Sequence, residues 1–144
     1  MKILDKVLFK QAEIIADVKA PEIIKLVDEL IATSIKIGGY GLAAPQVGIS
    51  KQVFVYRKAI GSDRYAVVIN PKIIVASGKL MSRAEGCLSH PGLRRDVKRH
   101  KTFVIKYTDT DGKEARLKGS NKKESIILQH EYEHLIGITI GNKK

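Results

Sequence analysis

Residues 121–137 read NKKESIILQHEYEHLIG, and this stretch decides the architecture. Asn121 with Glu124 three residues later forms a capping pair and Gly137 a stop, so the pattern predicts a helix from about Lys122 to Ile136. Ile126-Ile127-Leu128 is strongly apolar, and such a helix is expected to run through the core. On it, His130 and His134 are four residues apart, on one face and one turn above each other, so both imidazoles can reach one ion. Glu131 stands beside them, placed to take a proton from metal-bound water. Buried His and Glu side chains need partners, and a metal supplies one. The alternative, for so short a pattern, is a pair of histidines with no ion.

Two histidines leave a ligand set incomplete. In zinc proteases with this kind of helix the third ligand lies downstream, but Leu135 to Lys144 contain no His, Cys, Asp or Glu. The third ligand is therefore expected upstream, and Cys87, in Arg83-Ala84-Glu85-Gly86-Cys87-Leu88-Ser89, is the strongest candidate. Taken alone it reads equally as a small core residue. A set of two histidines and one cysteine keeps a fourth position open for water, as a catalytic site requires. His90 makes a C-x-x-H spacing with Cys87 and is a weaker candidate.

Outward from this helix, Pro21 to Ile37 carries Ile23, Ile24, Val27, Leu30, Ile31 and Ile35 at helical spacing, with Pro21 at the start and Gly38-Gly39 at the end. Short β-branched or aromatic runs follow at 52–57, 65–69 and 73–76, separated by Gly61-Ser62-Asp63 and Asn70-Pro71, which read as turns. Phe103 to Tyr107 and Glu114 to Leu117 flank Thr108-Asp109-Thr110-Asp111-Gly112 and read as a hairpin; the ligand pattern of a calcium loop is missing there. Helix, antiparallel strands, then helix makes an α+β domain over residues 1–144.

Composition narrows the class. The 26 basic and 15 acidic residues give a net charge of +11, which favours anionic partners, RNA or a ribosome surface among them. The run Arg94-Arg95-Asp96-Val97-Lys98-Arg99-His100-Lys101 is a candidate RNA contact or a charged strand edge. One cysteine makes no internal disulfide, Met1–Lys6 holds no long apolar segment, and no apolar run approaches the roughly 20 residues of a membrane span. The expectation is a cytoplasmic protein.

Three segments together resemble the peptide deformylase family. Gly39-Tyr40-Gly41-Leu42-Ala43-Ala44-Pro45-Gln46 is similar to its G-φ-G-φ-A-A-x-Q motif, Glu85-Gly86-Cys87-Leu88-Ser89 matches EGCLS, and Gln129 to His134 is close to QHExDH. They occur in the family's order; Asn70-Pro71 after an apolar strand is a further likeness. The resemblance implies antiparallel sheets packed around the central HExxH-bearing helix, together with the N-terminal amphipathic helix.

It also implies chemistry. Cys87, His130 and His134 would hold one divalent ion, Fe2+ by resemblance, with Zn2+, Ni2+ or Co2+ as substitutes; thiolate plus imidazole alone suits zinc. Metal-bound hydroxide would attack the formyl carbon of N-formylmethionyl nascent peptides, with Glu131 as general base and then acid. The Gln46 amide and the Leu88 N–H would stabilise the oxyanion. Gly41 and Arg94 would hold the peptide backbone, and Tyr40, Ile126, Ile127 and the His130 ring would line the methionine pocket. Glu85 and Arg99 would pair beside Cys87, and Glu133 would support the ligands from behind.

The chain departs from the family in four places. Glu133 stands where Asp is usual, His90 where an apolar or aromatic residue is, and Lys123 where an apolar pocket residue is common. Only ten residues follow His134, which resembles the short, phage-encoded members and would place the enzyme in a host cytoplasm. Rival readings are a small zinc protease, disfavoured by the missing downstream ligand, and a ribosome-binding module without turnover. The enzyme is expected to act as a monomer.

Overall fold

The computed structural model describes residues 7–58, 64–119 and 121–143; Met1–Lys6 and the expected turn at Gly61-Ser62-Asp63 lie outside the described residues. Helix α1 spans Pro21–Ile37, as its pattern predicts. It ends at Gly38, left-handed at φ 79°. The Gly38 N–H returns to Ile35 O and the Gly39 N–H to Ser34 O, so the last carbonyls find donors. Strands β1 (Gly41–Ala43), β2 (Val53–Arg57), β3 (Tyr65–Ser77), β4 (Leu80–Glu85), β5 (Arg95–Arg99), β6 (Thr102–Thr108) and β7 (Glu114–Lys118) precede helix α2 (Lys122–Leu135).

Every strand pairing is antiparallel. One sheet runs in the order β1-β2-β3-β6-β7, and β4 pairs with β5 in a separate ribbon. The sheet is covered on both faces because side chains alternate along each strand. Leu42, Val53, Val55 and Ile69 meet Ile23, Leu26, Val27 and Leu30 of α1. Ala43, Phe54, Tyr56, Ala66 and Val68 turn the other way, joining Phe103, Ile105 and the α2 residues Leu128 and Leu135. Double coverage explains why Val53-Phe54-Val55-Tyr56 is an unbroken apolar run: all four are fully buried. Helix α2 thus lies against the sheet face opposite α1, close to the edge strand β1.

Asn70-Pro71 is not the turn its composition suggests. Residues 65–77 form one strand that pairs with β2 up to Ile69 and with β6 from Ile69 onward, with a register shift between Ile69 and Lys72. Asn70 occupies the left-handed region (φ 51°), and its amide accepts from Ile15 N at 2.9 Å and donates to Ile15 O at 2.8 Å. An asparagine tolerates that conformation, and a proline needs no ladder donor at such an irregularity, so both residues fit a bulge as well as a turn. Strands β1 and β4 have no counterpart among the β-branched and aromatic runs read from sequence, while β5 falls in the 94–101 run read as a charged strand edge. The 109–112 loop closes the β6–β7 hairpin: Asp109 Oδ1 accepts from Asp111 N and Lys113 N, both at 2.9 Å.

Helix α2 begins where Asn121 Oδ1 accepts from Glu124 N at 2.9 Å and stops one residue before the expected end. Gly137, at φ 78°, closes it, with Ile138 N–H returning to Glu133 O. Phe9 O lies so near Gly137 that a Cβ there would sit 2.8 Å from it, so this glycine also makes room for the N-terminal segment. No helix of the described residues is long and apolar enough to cross a membrane.

Candidate metal centre

Two elements bring the expected ligands together. Helix α2 supplies His130 and His134, whose Nε2 atoms are 3.3 Å apart, and the loop after β4 supplies Cys87, whose Sγ is 3.5 Å from His134 Nε2. One ligand atom from each of the three residues lies within 4.8 Å of the others. His90 turns elsewhere: its Nε2 is 2.8 Å from Thr139 Oγ1, and its ring lies against Gly141.

The surroundings suit a cation. His130 Nδ1 sits 2.7 Å from Glu85 Oε1, which fixes the Nδ1–H tautomer and turns the Nε2 lone pair toward Cys87 and His134. Burial lowers the His130 pKa, but hydrogen bonds to Cys87 and Glu85 and the charge of Glu131 outweigh it, raising it to about 10. The same groups that would hold a proton there would hold a metal ion. His134 is fully buried, and burial followed by the His130 charge pushes its pKa well down, leaving the neutral imidazole that a metal requires. Glu131 Oε1 is buried with no hydrogen-bond partner among the described residues, facing a site that wants a polar occupant. The donor set therefore fits a divalent ion.

Glu131 is buried beneath β1. Desolvation raises its pKa to about 7, against the opposing charge of His130. Gly41 leaves it room: a Cβ there would stand 2.9 Å from Val55 O and 3.0 Å from Glu131 Oε2. Gln46 lies in the 3-10 turn Ala44–Gln46 and is 1% exposed. Its Oε1 accepts from Ala43 N at 2.9 Å, so Nε2 points to Ser89 Oγ (3.2 Å) and Cys87 Sγ (3.8 Å). Local capping and an inward-facing donor are thus two ends of one amide. Among the described residues, Leu88 N–H donates to no backbone or side-chain acceptor, while its side chain lies against Gly39.

Glu85, Arg99 and Glu133 form a chain behind the expected ligands. Arg99, buried at 4% exposure, donates to Glu85 through Nε at 3.2 Å and through Nη2, and to Glu133 through Nη1. Burial would raise the Glu85 pKa, but hydrogen bonds from His130 and Arg99 prevail and hold it at about 2. Arg99 is therefore no surface residue.

The family described as Polypeptide deformylase matches residues 1–143. The chain belongs to the peptide deformylase family. It is 38% identical over 141 residues to the peptide deformylase of Thermodesulfovibrio yellowstonii, covering 96% of this chain and 84% of that one. The crystal structure of the Thermotoga maritima deformylase superposes with a TM-score of 0.87 at 32% identity, covering 99% of this chain and 95% of that one. That of the Synechococcus elongatus deformylase in complex with actinonin gives 0.87 at 33% identity, covering 96% and 75%. The α+β architecture and the activity expected from the three motifs are those of this family. The deformylase is thus a metal-dependent hydrolase that removes the formyl group from N-formylmethionyl nascent peptides.

The residues expected to bind substrate fall in different places on this deformylase. The Arg57 N–H donates to Tyr40 O at 2.7 Å and Ala43 N–H to Gln46, so by alternation the Gly41 N–H and C=O face the open edge of β1. The Arg94 guanidinium is exposed, covers Gly86 beside Cys87 and has no ion-pair partner among the described residues. Tyr40 is 46% exposed and carries Lys123, whose Nζ is 3.0 Å from its hydroxyl and 4.1 Å from its ring centroid. Ile126 shares a helix face with His130, whereas Ile127 packs into the cluster of Phe54 and Tyr56. Sequence reasoning missed Ser89 and Lys143. Ser89 was readable as a neighbour of Cys87 in the EGCLS stretch; Lys143 carries no signal, since only folding brings it to Glu133.

Proposed function

We propose that Cys87, His130 and His134 hold the catalytic ion of this deformylase and that Glu131 moves the proton of the reaction. The observation that carries this reading is the convergence of one thiol sulfur and two imidazole Nε2 atoms beside a buried carboxylate. Ferrous iron is the proposed physiological ion, with zinc, nickel or cobalt as substitutes, since thiolate and imidazole accept all of them. A divalent ion there supplies Lewis acidity and activates water at neutral pH.

The chain's own residues do the rest. The substrate backbone adds as a strand to the open edge of β1, pairing with the Gly41 N–H and C=O. Arg94 reaches the peptide beyond the scissile bond, and Tyr40, Ile126, Ile127 and the His130 ring receive the methionine side chain. Glu131 accepts a proton from the attacking water and returns it to the leaving amine as the C–N bond breaks, giving formate and a free N-terminus. Gln46 Nε2 and Leu88 N–H donate to the formyl oxygen as it gains negative charge, and one such donor is worth about 3–4 kcal/mol. Glu85, Arg99 and Glu133 keep His130 in its tautomer and orientation.

The enzyme is proposed to work as a cytoplasmic monomer. A contact with ribosomal RNA is a second reading, supported by the net charge of +11 and by Arg94, Lys98 and Lys101, exposed at and beside β5. Arg95 and Arg99 do not belong to that surface, because they bind the C-terminal turn and the ion cluster. The decisive assay is formate release from a formyl-Met peptide by protein prepared without oxygen. Formate is expected; folded, metal-loaded protein that releases none would refute the reading. Filter binding to ribosomes, with Arg94, Lys98 and Lys101 neutralised, tests the second.

A further inference from the structure

Glu133 takes no direct part in the reaction just described, yet both of its oxygens are held. Oε1 accepts from Arg99 Nη1 and Oε2 from Lys143 Nζ. Arg99 grips both oxygens of Glu85 in turn, and Glu85 Oε1 meets His130 Nδ1 at 2.7 Å. The charges form an unbroken row of Lys143, Glu133, Arg99 and Glu85, alternating in sign and ending on a ligand imidazole. The row is sheltered: its side chains are 25%, 15%, 1% and 10% exposed in that order.

The Lys143 backbone is tied down as well. Lys143 N–H donates to Thr139 O at 2.9 Å, and Lys143 O accepts from Arg95 Nη1 at 3.1 Å. Thr139 meets His90, three residues past Cys87. The 139–143 turn therefore touches both the cysteine loop and the histidine helix.

We propose that Lys143 is a positioning residue for the metal centre, acting through Glu133, Arg99 and Glu85 on the ring of His130. Arg99 is shared between two carboxylates, and how it divides itself depends on how well each is satisfied elsewhere. Lys143 neutralises Glu133 and balances the four charges, so the Arg99 fork can close on Glu85. Without it, Glu133 draws Arg99 to itself and the Glu85–His130 contact loosens. A glutamate at 133 offers the length to meet Arg99 and Lys143 at once, where an aspartate is shorter by one methylene.

This inference rests on reading Cys87, His130 and His134 as ligands, and the test separates the two claims. The full chain is loaded with cobalt, and its visible absorption and rate of cobalt loss to a chelator are measured for wild type, Lys143→Met, Lys143→Arg, Glu133→Gln and the Lys143→Met/Glu133→Gln pair. Removing a direct partner of a ligand costs about 10- to 100-fold in metal affinity. Three links away, the expectation for Lys143→Met is loss about 3- to 10-fold faster with a shifted cobalt spectrum. Lys143→Arg should restore both, and Lys143→Met should add nothing once Glu133 is Gln. A wild-type rate and spectrum in Lys143→Met would overturn the proposal, as would an equal acceleration in the Glu133→Gln background. Wild-type chain that takes up no cobalt would instead sink the metal-centre reading, and the positioning role with it.

Discussion

Gly41→Ala adds one methyl group at the point where the edge strand meets Glu131, the proposed proton-transfer residue. The new Cβ would lie 2.9 Å from Val55 O, 3.0 Å from Glu131 Oε2 and 3.1 Å from Glu131 Cδ, against 3.4 Å or more for ordinary contact. Val55 O belongs to a strand buried between two helices and cannot retreat, so β1 must shift at residue 41 and the Glu131 carboxylate must give way with it. The shift needed is about 0.4 Å, and since a misplacement of about 1 Å can cost roughly 100-fold, kcat should fall about 5- to 10-fold. Overpacking should also cost about 1–3 kcal/mol of stability, read as a lower urea midpoint. The main-chain N–H and C=O of residue 41 shift with the strand, so KM for a formyl-Met peptide should rise as well, by less than kcat falls, and the bound metal should remain stoichiometric. The reasoning is refuted by a variant whose kcat stays within twofold of wild type, or whose loss lies wholly in KM.

Gln46→Ala removes the inward donor and leaves the buried Ala43 N–H without its acceptor; kcat should fall about 10²- to 10³-fold and stability by about 1–3 kcal/mol, checked by formate release and urea melts. Glu85 has a folded pKa of about 2 against an ordinary 4.5, so its contribution to stability is present above about 4.5 and lost as pH falls toward 2. Urea midpoints over that window should drop more steeply for wild type than for Glu85→Gln, and parallel curves would contradict the assignment. His130, with its pKa raised to about 10, holds a proton in the metal-free protein across the neutral range, and metal must displace it. Calorimetric titration of zinc in buffers of different ionisation enthalpy should show at least one proton released, with affinity weakening as pH falls; zero protons would count against the ligand role.

Helix positions were legible because their ends carry local chemistry. Pro21 and Gly38 bound α1, and Asn121 and Gly137 bound α2, each acting on backbone groups within a few residues. The candidate ligands and Glu131 were legible because two histidines and a glutamate at helical spacing, with a lone cysteine upstream, name a metal site by residue type, and the order of the motifs is the family's. Strand β1 was not: Gly-Leu-Ala has little strand preference and is extended because β2 templates it. Strands β4 and β5 are rich in charge, and their pairing is steered by Asp96, which accepts from Arg83 and from Ala84 N, a contact no periodicity reveals. Asn70-Pro71 misleads because bulges and turns draw on the same two residue types. Lys143 was invisible for a different reason, since a lone lysine acquires meaning only from the carboxylate that folding sets beside it.

The long strand β3 passes through two environments. As far as Ile69 it pairs with β2 and its side chains are covered by both helices; from Lys72 to Ser77 it pairs with β6 instead and its side chains are exposed. Amide hydrogen exchange along this one strand should therefore break at Asn70, with protection near the global unfolding limit before it and opening at much lower free energy beyond.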